Sequence, residues 1–283
     1  MSSRANAIST FSDAIIARPT NKGASQQLTL SLTKPFQDSD WYWMFAYTYT
    51  NATEVSPLTS STSGSQWGNN AQFQANEEVA ATSSYEIPNR FTGAVSWHHA
   101  FFGDYKTSVS LFYEARNGRP YSYIFDNDAN GDARFGNDLL YIPAGRGDVL
   151  FGSQAEEDDF FAFLESDEYL SSHMGQIAER NGARAPWVHQ LDLRFSQEMA
   201  GLTEGHKAEV WLDVLNVGNL INENWGQITE IGFPLTRGVV EYGGIDQATG
   251  KYVYRFNSPD DFRLYDDRGI SRWSLQLGFR YKF

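Results

Sequence analysis

Residues 272 to 283 read Arg272-Trp273-Ser274-Leu275-Gln276-Leu277-Gly278-Phe279-Arg280-Tyr281-Lys282-Phe283. Every odd position from Trp273 onward is apolar or aromatic, and every residue between them is polar or glycine. Side chains alternate sides along a strand, so this stretch predicts a ribbon with one apolar and one polar face. Its last residue is an aromatic that completes the pattern, where chain ends ordinarily fray. An apolar cover is therefore expected, either a second sheet or lipid.

Working back from this ribbon, the same period recurs. Strands are predicted at Gln26–Phe36 (Leu28, Leu30, Leu32), Trp41–Tyr49, Arg90–His99 (Phe91, Val95, Trp97), Tyr105–Glu114, Val188–Gln197 and Lys207–Val217. Tyr105 to Tyr113 is about the nine residues a tilted strand needs to cross a bilayer, with tyrosine at both ends. Short connections at residues 37–40, 101–104 and 201–205 alternate with long ones at 51–86, 116–186 and 218–269. A soluble sandwich has no reason to place long loops on every second connection. An outer-membrane barrel does, with short inner turns and long outer loops. Residues 158–180 have helical spacing, with Asn181-Gly182 as a stop, and Tyr252–Phe256 reads as half of a hairpin.

Composition is compatible with this. Mean hydropathy is negative, and no apolar run approaches the ~18 residues of a membrane helix, but barrel strands expose only alternate residues to lipid. Aromatics make up 15% of the chain, with 8 Trp, which fits interfacial girdles. A formal net charge of -13 argues against a nucleic-acid partner, since phosphate binding needs a basic face. Without cysteine there is no disulfide scaffold, thiolate catalysis or cysteine metal site. The first residues lack the charged start and apolar core of a signal peptide.

Gln276-x-Gly278-x-x-Tyr281-x-Phe283 resembles the C-terminal assembly signal of bacterial outer-membrane barrels, which implies insertion by the barrel-assembly machinery into outer-membrane lipid. Other stretches resemble the C-terminal part of a TonB-dependent outer-membrane receptor of the Oar-like branch. They are Ser56–Ser60, Tyr85–Phe91, Asn117–Ser122, Asn137–Pro143, Arg180–Trp187 and Asp213–Asn219. The resemblance implies a barrel of about twenty-two strands around an N-terminal plug, with import driven by the TonB complex. Plug and TonB-contacting segment have no counterpart here. The expected fold is thus all-β: an antiparallel transmembrane barrel segment at residues 24–283, about seven membrane strands, after a loop remnant at 1–23. Single-chain bacterial barrels have even strand numbers, so seven favours a fragment. Two competitors stand beside it: a complete small barrel with an eighth strand in Ser9–Ala17 and a structural or adhesive role, and a secreted carbohydrate-binding β domain.

Asp126-Asn127-Asp128-Ala129-Asn130-Gly131-Asp132 matches the opening of a calcium loop, with oxygen donors at Asp126, Asp128, Asn130 and Asp132 and glycine for the turn. The twelfth place holds Asn137 instead of a bidentate Glu, with Asp138 as a substitute. Otherwise no cofactor is implied. His98, His99, His173, His189 and His206 lack metal spacing, and residues 156–159 read as a solvated helix start. With no nucleophile elbow, phosphate loop or zinc motif, no catalytic residue is assigned and the chain is not expected to be an enzyme.

Overall fold

Period-two alternation sets the architecture of the computed structural model, which describes residues 15–37, 39–265 and 269–283. In chain order the first half carries β1 (Ala24–Lys34), β2 (Trp41–Glu54), α1 (Ser63–Gly68), β3 (Ala81–Thr82), β4 (Asn89–Phe102), β5 (Tyr105–Arg116) and β6 (Pro120–Phe125). Next come α2 (Gln154–Ser166), α3 (Glu168–Ser172), β7 (Ala183–Arg184), β8 (Val188–Ala200), β9 (Lys207–Leu215) and α4 (Val217–Ile221). The chain closes with β10 (Thr229–Glu230), β11 (Thr236–Ile245), β12 (Tyr252–Phe256), β13 (Arg263–Leu264) and β14 (Ser274–Lys282). Strand accounts for 44% of the chain and helix for 11%.

The seven long strands form one antiparallel sheet in the order β1-β2-β4-β5-β8-β9-β14, so each pairs with its predecessor among them. Residues opposite one another across a ladder share a face. One such row runs Trp43, Val95, Leu111, Leu193, Val214, Leu275. Another runs Leu30, Tyr47, Phe91, Ala115, His189. The register therefore stacks the apolar sets of all seven strands on one side. Among the described residues β1 and β14 remain as two free edges: the sheet is open, not a closed barrel. Of the alternative eighth strand at 9–17, residues 9–14 lie outside the described residues and 15–17 are not strand.

Short hairpins join the strands at one end. Strand pairing reaches Phe102 and Tyr105, leaving Gly103-Asp104 as a two-residue turn instead of the four residues 101–104. Gly103 has φ +64°, which a side-chain-bearing residue adopts only with strain.

At the other end the three long connections fold together into a body with its own core. Here β12, β11, β6 and β7 make a second sheet, in which β11 and β12 form the expected hairpin and β11 runs parallel to β6. Phe160 of α2 sits fully buried among Phe151, Phe161, Tyr254 and Phe256, with ring centroids 5.1 to 6.4 Å away. The main buried cluster draws on β6, α2, α3, β11, β12 and the segments between them, and on none of the seven long strands.

The helix expected over residues 158–180 starts earlier and stops sooner. Ser153 accepts the Glu156 amide as N-cap, and the Asp167 carboxylate accepts the Leu170 amide, ending α2 and starting α3. Beyond Ser172 the helical ladder gives way to single turns and to bonds with another segment: Ile142 N–H donates to Gln176 O at 2.8 Å and Ala178 N–H to Leu140 O at 2.7 Å. Met174 and Ile177 thus pack from an irregular segment, not from a helix face.

Candidate membrane-facing surface

The shared apolar face of the long sheet is bare. Leu28, Leu30, Phe45, Phe91, Leu111, Phe195, Leu275 and Phe279 are exposed, Leu32 to 69% and Leu277 to 75%. Seven strands at ~4.8 Å spacing and some nine residues tall present on the order of 800 Å². Monomeric soluble proteins rarely leave more than ~300 to 600 Å² of contiguous apolar surface uncovered. Moving such an area from water into hydrocarbon contributes on the order of 20 kcal/mol.

Aromatic groups gather toward both ends of this face. At the hairpin end Trp41 lies 6.4 Å from Trp97, Trp97 stacks on His99 at 6.1 Å, and His99 meets Phe101 at 4.6 Å. At the loop end Tyr47 lies 4.8 Å from Phe91, Phe91 stacks on Trp187 at 6.4 Å, and Tyr113 Oη bonds His189 Nδ1 at 2.8 Å. Val95, Leu111, Leu193 and Val214 lie between, with Trp43, Phe45 and Phe195 among them. Trp41 to Tyr49 spans eight steps, about 27 Å along the strand. Aromatic rings around an apolar band of about 25 Å are the pattern of barrel girdles.

The opposite face is polar and cross-linked by charge. Arg194 grips Asp213 through two bonds of 2.5 and 2.8 Å, Arg90 meets Glu114 at 2.8 Å, and Arg280 and Lys282 approach Glu209 at 3.7 and 3.8 Å. The Trp211 ring lies between the Arg194 and Arg280 guanidiniums at 5.6 and 5.4 Å.

The four predicted assembly residues divide by role. Gln276 pairs with Asp213 on the polar face. Gly278 lies under the Trp211 indole, where a Cβ would overlap the ring. Tyr281 Oη accepts the Leu202 amide at 2.8 Å and bonds His206 Nδ1 at 3.0 Å, tying the last strand to the preceding hairpin. Phe283 is 94% exposed.

The stretches quoted for family resemblance meet largely where sheet passes into loop body. Asn89 and Asn117 exchange backbone and side-chain bonds of 2.9 to 3.1 Å, and Glu86 holds Arg184. Asn181 bonds Ser122 and the Thr82 carbonyl. Asn216, at φ +53°, takes its backbone bond to Asp192 at 2.8 Å as β9 stops. Arg180 opens one of these stretches with no role assigned to it from sequence, yet its buried guanidinium donates to the carbonyls of Glu54, Ala71 and Val79, so one cation closes the first long loop. Burial lowers its pKa. A run of Arg-Asn before glycine gives little hint of this.

The histidines serve packing and hydrogen bonding. His98 and His99 leave opposite faces and both reach Asp40 in the first hairpin, at 3.9 and 3.4 Å. His173 bonds the Tyr169 carbonyl at 2.8 Å.

The Asp-rich loop departs from its expected frame. Asp126 turns away, its carboxylate lying over Gly238 and accepting from Asn257 at 3.2 Å. Asp128 accepts the amides of Gly131, Asp132 and Ala133, and Asp132 that of Arg134. Asp138 enters instead, accepting the amides of Ala129 and Asn130 at 2.6 and 3.2 Å. Burial pushes its carboxyl up to about 6, with those amides pulling the other way and Asp132 and Asp128 adding to the rise. The four residues Asp126, Asp128, Asn130 and Asp132 are thus not one ligand set, and among the described residues no three His, Asp or Glu side chains converge as a metal site.

Among the described residues no helix is long and apolar enough to cross a membrane. Comparisons with protein-family models, curated proteins and solved structures return no match.

Proposed function

We propose that this chain is the C-terminal segment of an outer-membrane β-barrel, its apolar sheet face solvated by lipid, its polar face turned to the barrel interior and its loop body outside. One observation carries the reading: the apolar sides of seven paired strands are aligned and uncovered, while the main buried cluster lies wholly in the loop body. A soluble protein would place its core where the sheet is. Free edges at β1 and β14 suit a sheet that continues into further strands, because an unpaired edge inside lipid leaves backbone groups unsatisfied.

Within that class we assign the chain to a TonB-dependent receptor of the Oar-like type, serving uptake or a surface role, on its sequence resemblance. TonB would act through a plug lying outside these residues. The Gly278 and Tyr281 contacts support β14 as the strand read by the barrel-assembly machinery.

Refolding into lipid vesicles tests the membrane reading. The chain is expected to partition with lipid, and added protease should cut residues 55–88, 117–187 and 216–273 while sparing the long strands. A monodisperse, folded chain in plain buffer would overturn it.

A further inference from the structure

We propose that Asp128, Asn130, Asp132, Asn137 and Asp138 form a site for a divalent cation of calcium's size within the second long loop. The first argument is placement. Asp128, Asn130 and Asp132 put oxygen donors at the first, third and fifth places of a tight loop, and the Arg134 carbonyl occupies the seventh. The frame therefore opens at Asp128, two residues later than the sequence pattern suggested, and the side chain left out is Asp126.

A second, independent observation concerns unpartnered buried atoms. Asn137 is 0% exposed and neither of its amide atoms has a hydrogen-bond partner. Asp138 is 2% exposed; its Oδ2 is aimed into the loop by the Ala129 and Asn130 amides, while Oδ1 has no donor. Buried polar atoms are almost always satisfied, and an unpaired carboxylate oxygen is among the costliest to leave bare. A divalent cation would satisfy Oδ1.

The occupant's size follows from the donors. Three carboxylates, two amide oxygens and a carbonyl offer the six to eight mixed oxygens calcium takes, whereas magnesium needs a small, rigid octahedron and keeps its waters. Backbone amides hold Asp128, Asn130 and Asp132, and among the described residues no three acids meet at one point. Binding thus calls on the unpartnered Asn137 and Asp138 oxygens and turns Asp132 off Gln72, whose Nε2 lies 3.4 Å away. Gln72 also bonds the backbone of Asn137 and Leu139, at 2.8 and 3.0 Å, and these bonds keep the first loop attached beside the site.

The test is calorimetry of the refolded chain, stripped with chelator, titrated with calcium chloride and separately with magnesium chloride. Calcium is expected to bind at one ion per chain with a Kd of ~0.1 to 1 mM and to slow proteolysis between residues 126 and 138. Asp138→Asn and Asp132→Asn should each weaken binding by roughly tenfold or more, while Asp126→Asn leaves it unchanged. Circular dichroism identifies variants that keep the fold. No heat up to ~10 mM calcium would overturn the proposal, as would unaltered affinity in a folded Asp132→Asn variant or loss in a folded Asp126→Asn variant.

Discussion

Replacing Leu277 by arginine puts the lipid premise at risk most directly. Leu277 is 75% exposed at the middle of β14, four residues from Trp273 and four from Tyr281, facing Leu212 across the ladder. If hydrocarbon covers that face, Leu277 sits near the bilayer midplane, where arginine costs about 2 to 4 kcal/mol. That is a roughly 30- to 700-fold loss in the folding equilibrium. If water covers it, an exposed leucine-to-arginine change falls within about 0.5 kcal/mol of neutral. Gln276→Arg, one residue away on the polar face, serves as control and should stay within the same ~0.5 kcal/mol. Trp273→Arg, at the girdle, should cost about 0 to 1 kcal/mol. The assay is reversible urea unfolding of the vesicle-inserted chain followed by tryptophan fluorescence. A Leu277→Arg variant as stable as the parent would refute the reasoning, whatever the protein does in detergent.

Gly278→Val should cost about 1 to 3 kcal/mol by driving Cβ into the Trp211 indole, and Trp211→Ala should recover most of it in a double-mutant cycle read by the same urea titration. Arg184→Met strands the nearly buried Glu86 carboxylate and is expected to cost about 2 to 3 kcal/mol, with Glu86→Gln in the same chain restoring part; protease susceptibility of residues 55–88 reports it. Asp148 is held below the usual carboxylate range by the Ala144 amide and then the Tyr141 hydroxyl. A depressed acid stabilises the fold above its unfolded pKa of about 3.9, and that stability is lost as pH falls through its lower folded value. This contribution should therefore be lost below about pH 4, and Asp148→Asn should flatten that limb of a stability-against-pH curve without altering the slope above about pH 5.

The seven long strands were legible because each has one apolar and one polar face, and period two survives only when the two faces differ. Tyr105 to Tyr113 alternates cleanly, and its strand lies where expected. All six residues of β6 are buried, so the cue that separates faces is absent there, and its parallel partner β11 lies more than a hundred residues on. The apolar spacing of Met174 and Ile177 suggested helix because spacing alone does not record where backbone amides find acceptors. In the Asp-rich loop the residue types were visible but their frame was not. Whether Asp126 or Asp138 points inward is decided by Asn257 and Gly238 on one side and the Ala129 amide on the other.

The sheet's rims have a consequence of their own. Six successive antiparallel pairings reverse direction six times, so β1 and β14 run the same way. Curling until those rims met would zip them parallel, at odds with every other seam in the sheet. Like rims behave differently: β14 against the β14 of a second molecule, or β1 against β1, meets head to tail about a twofold axis. An isolated chain concentrated in detergent is therefore geometrically inclined toward symmetric pairs rather than self-closure, and intervening strands of opposite sense remove the mismatch.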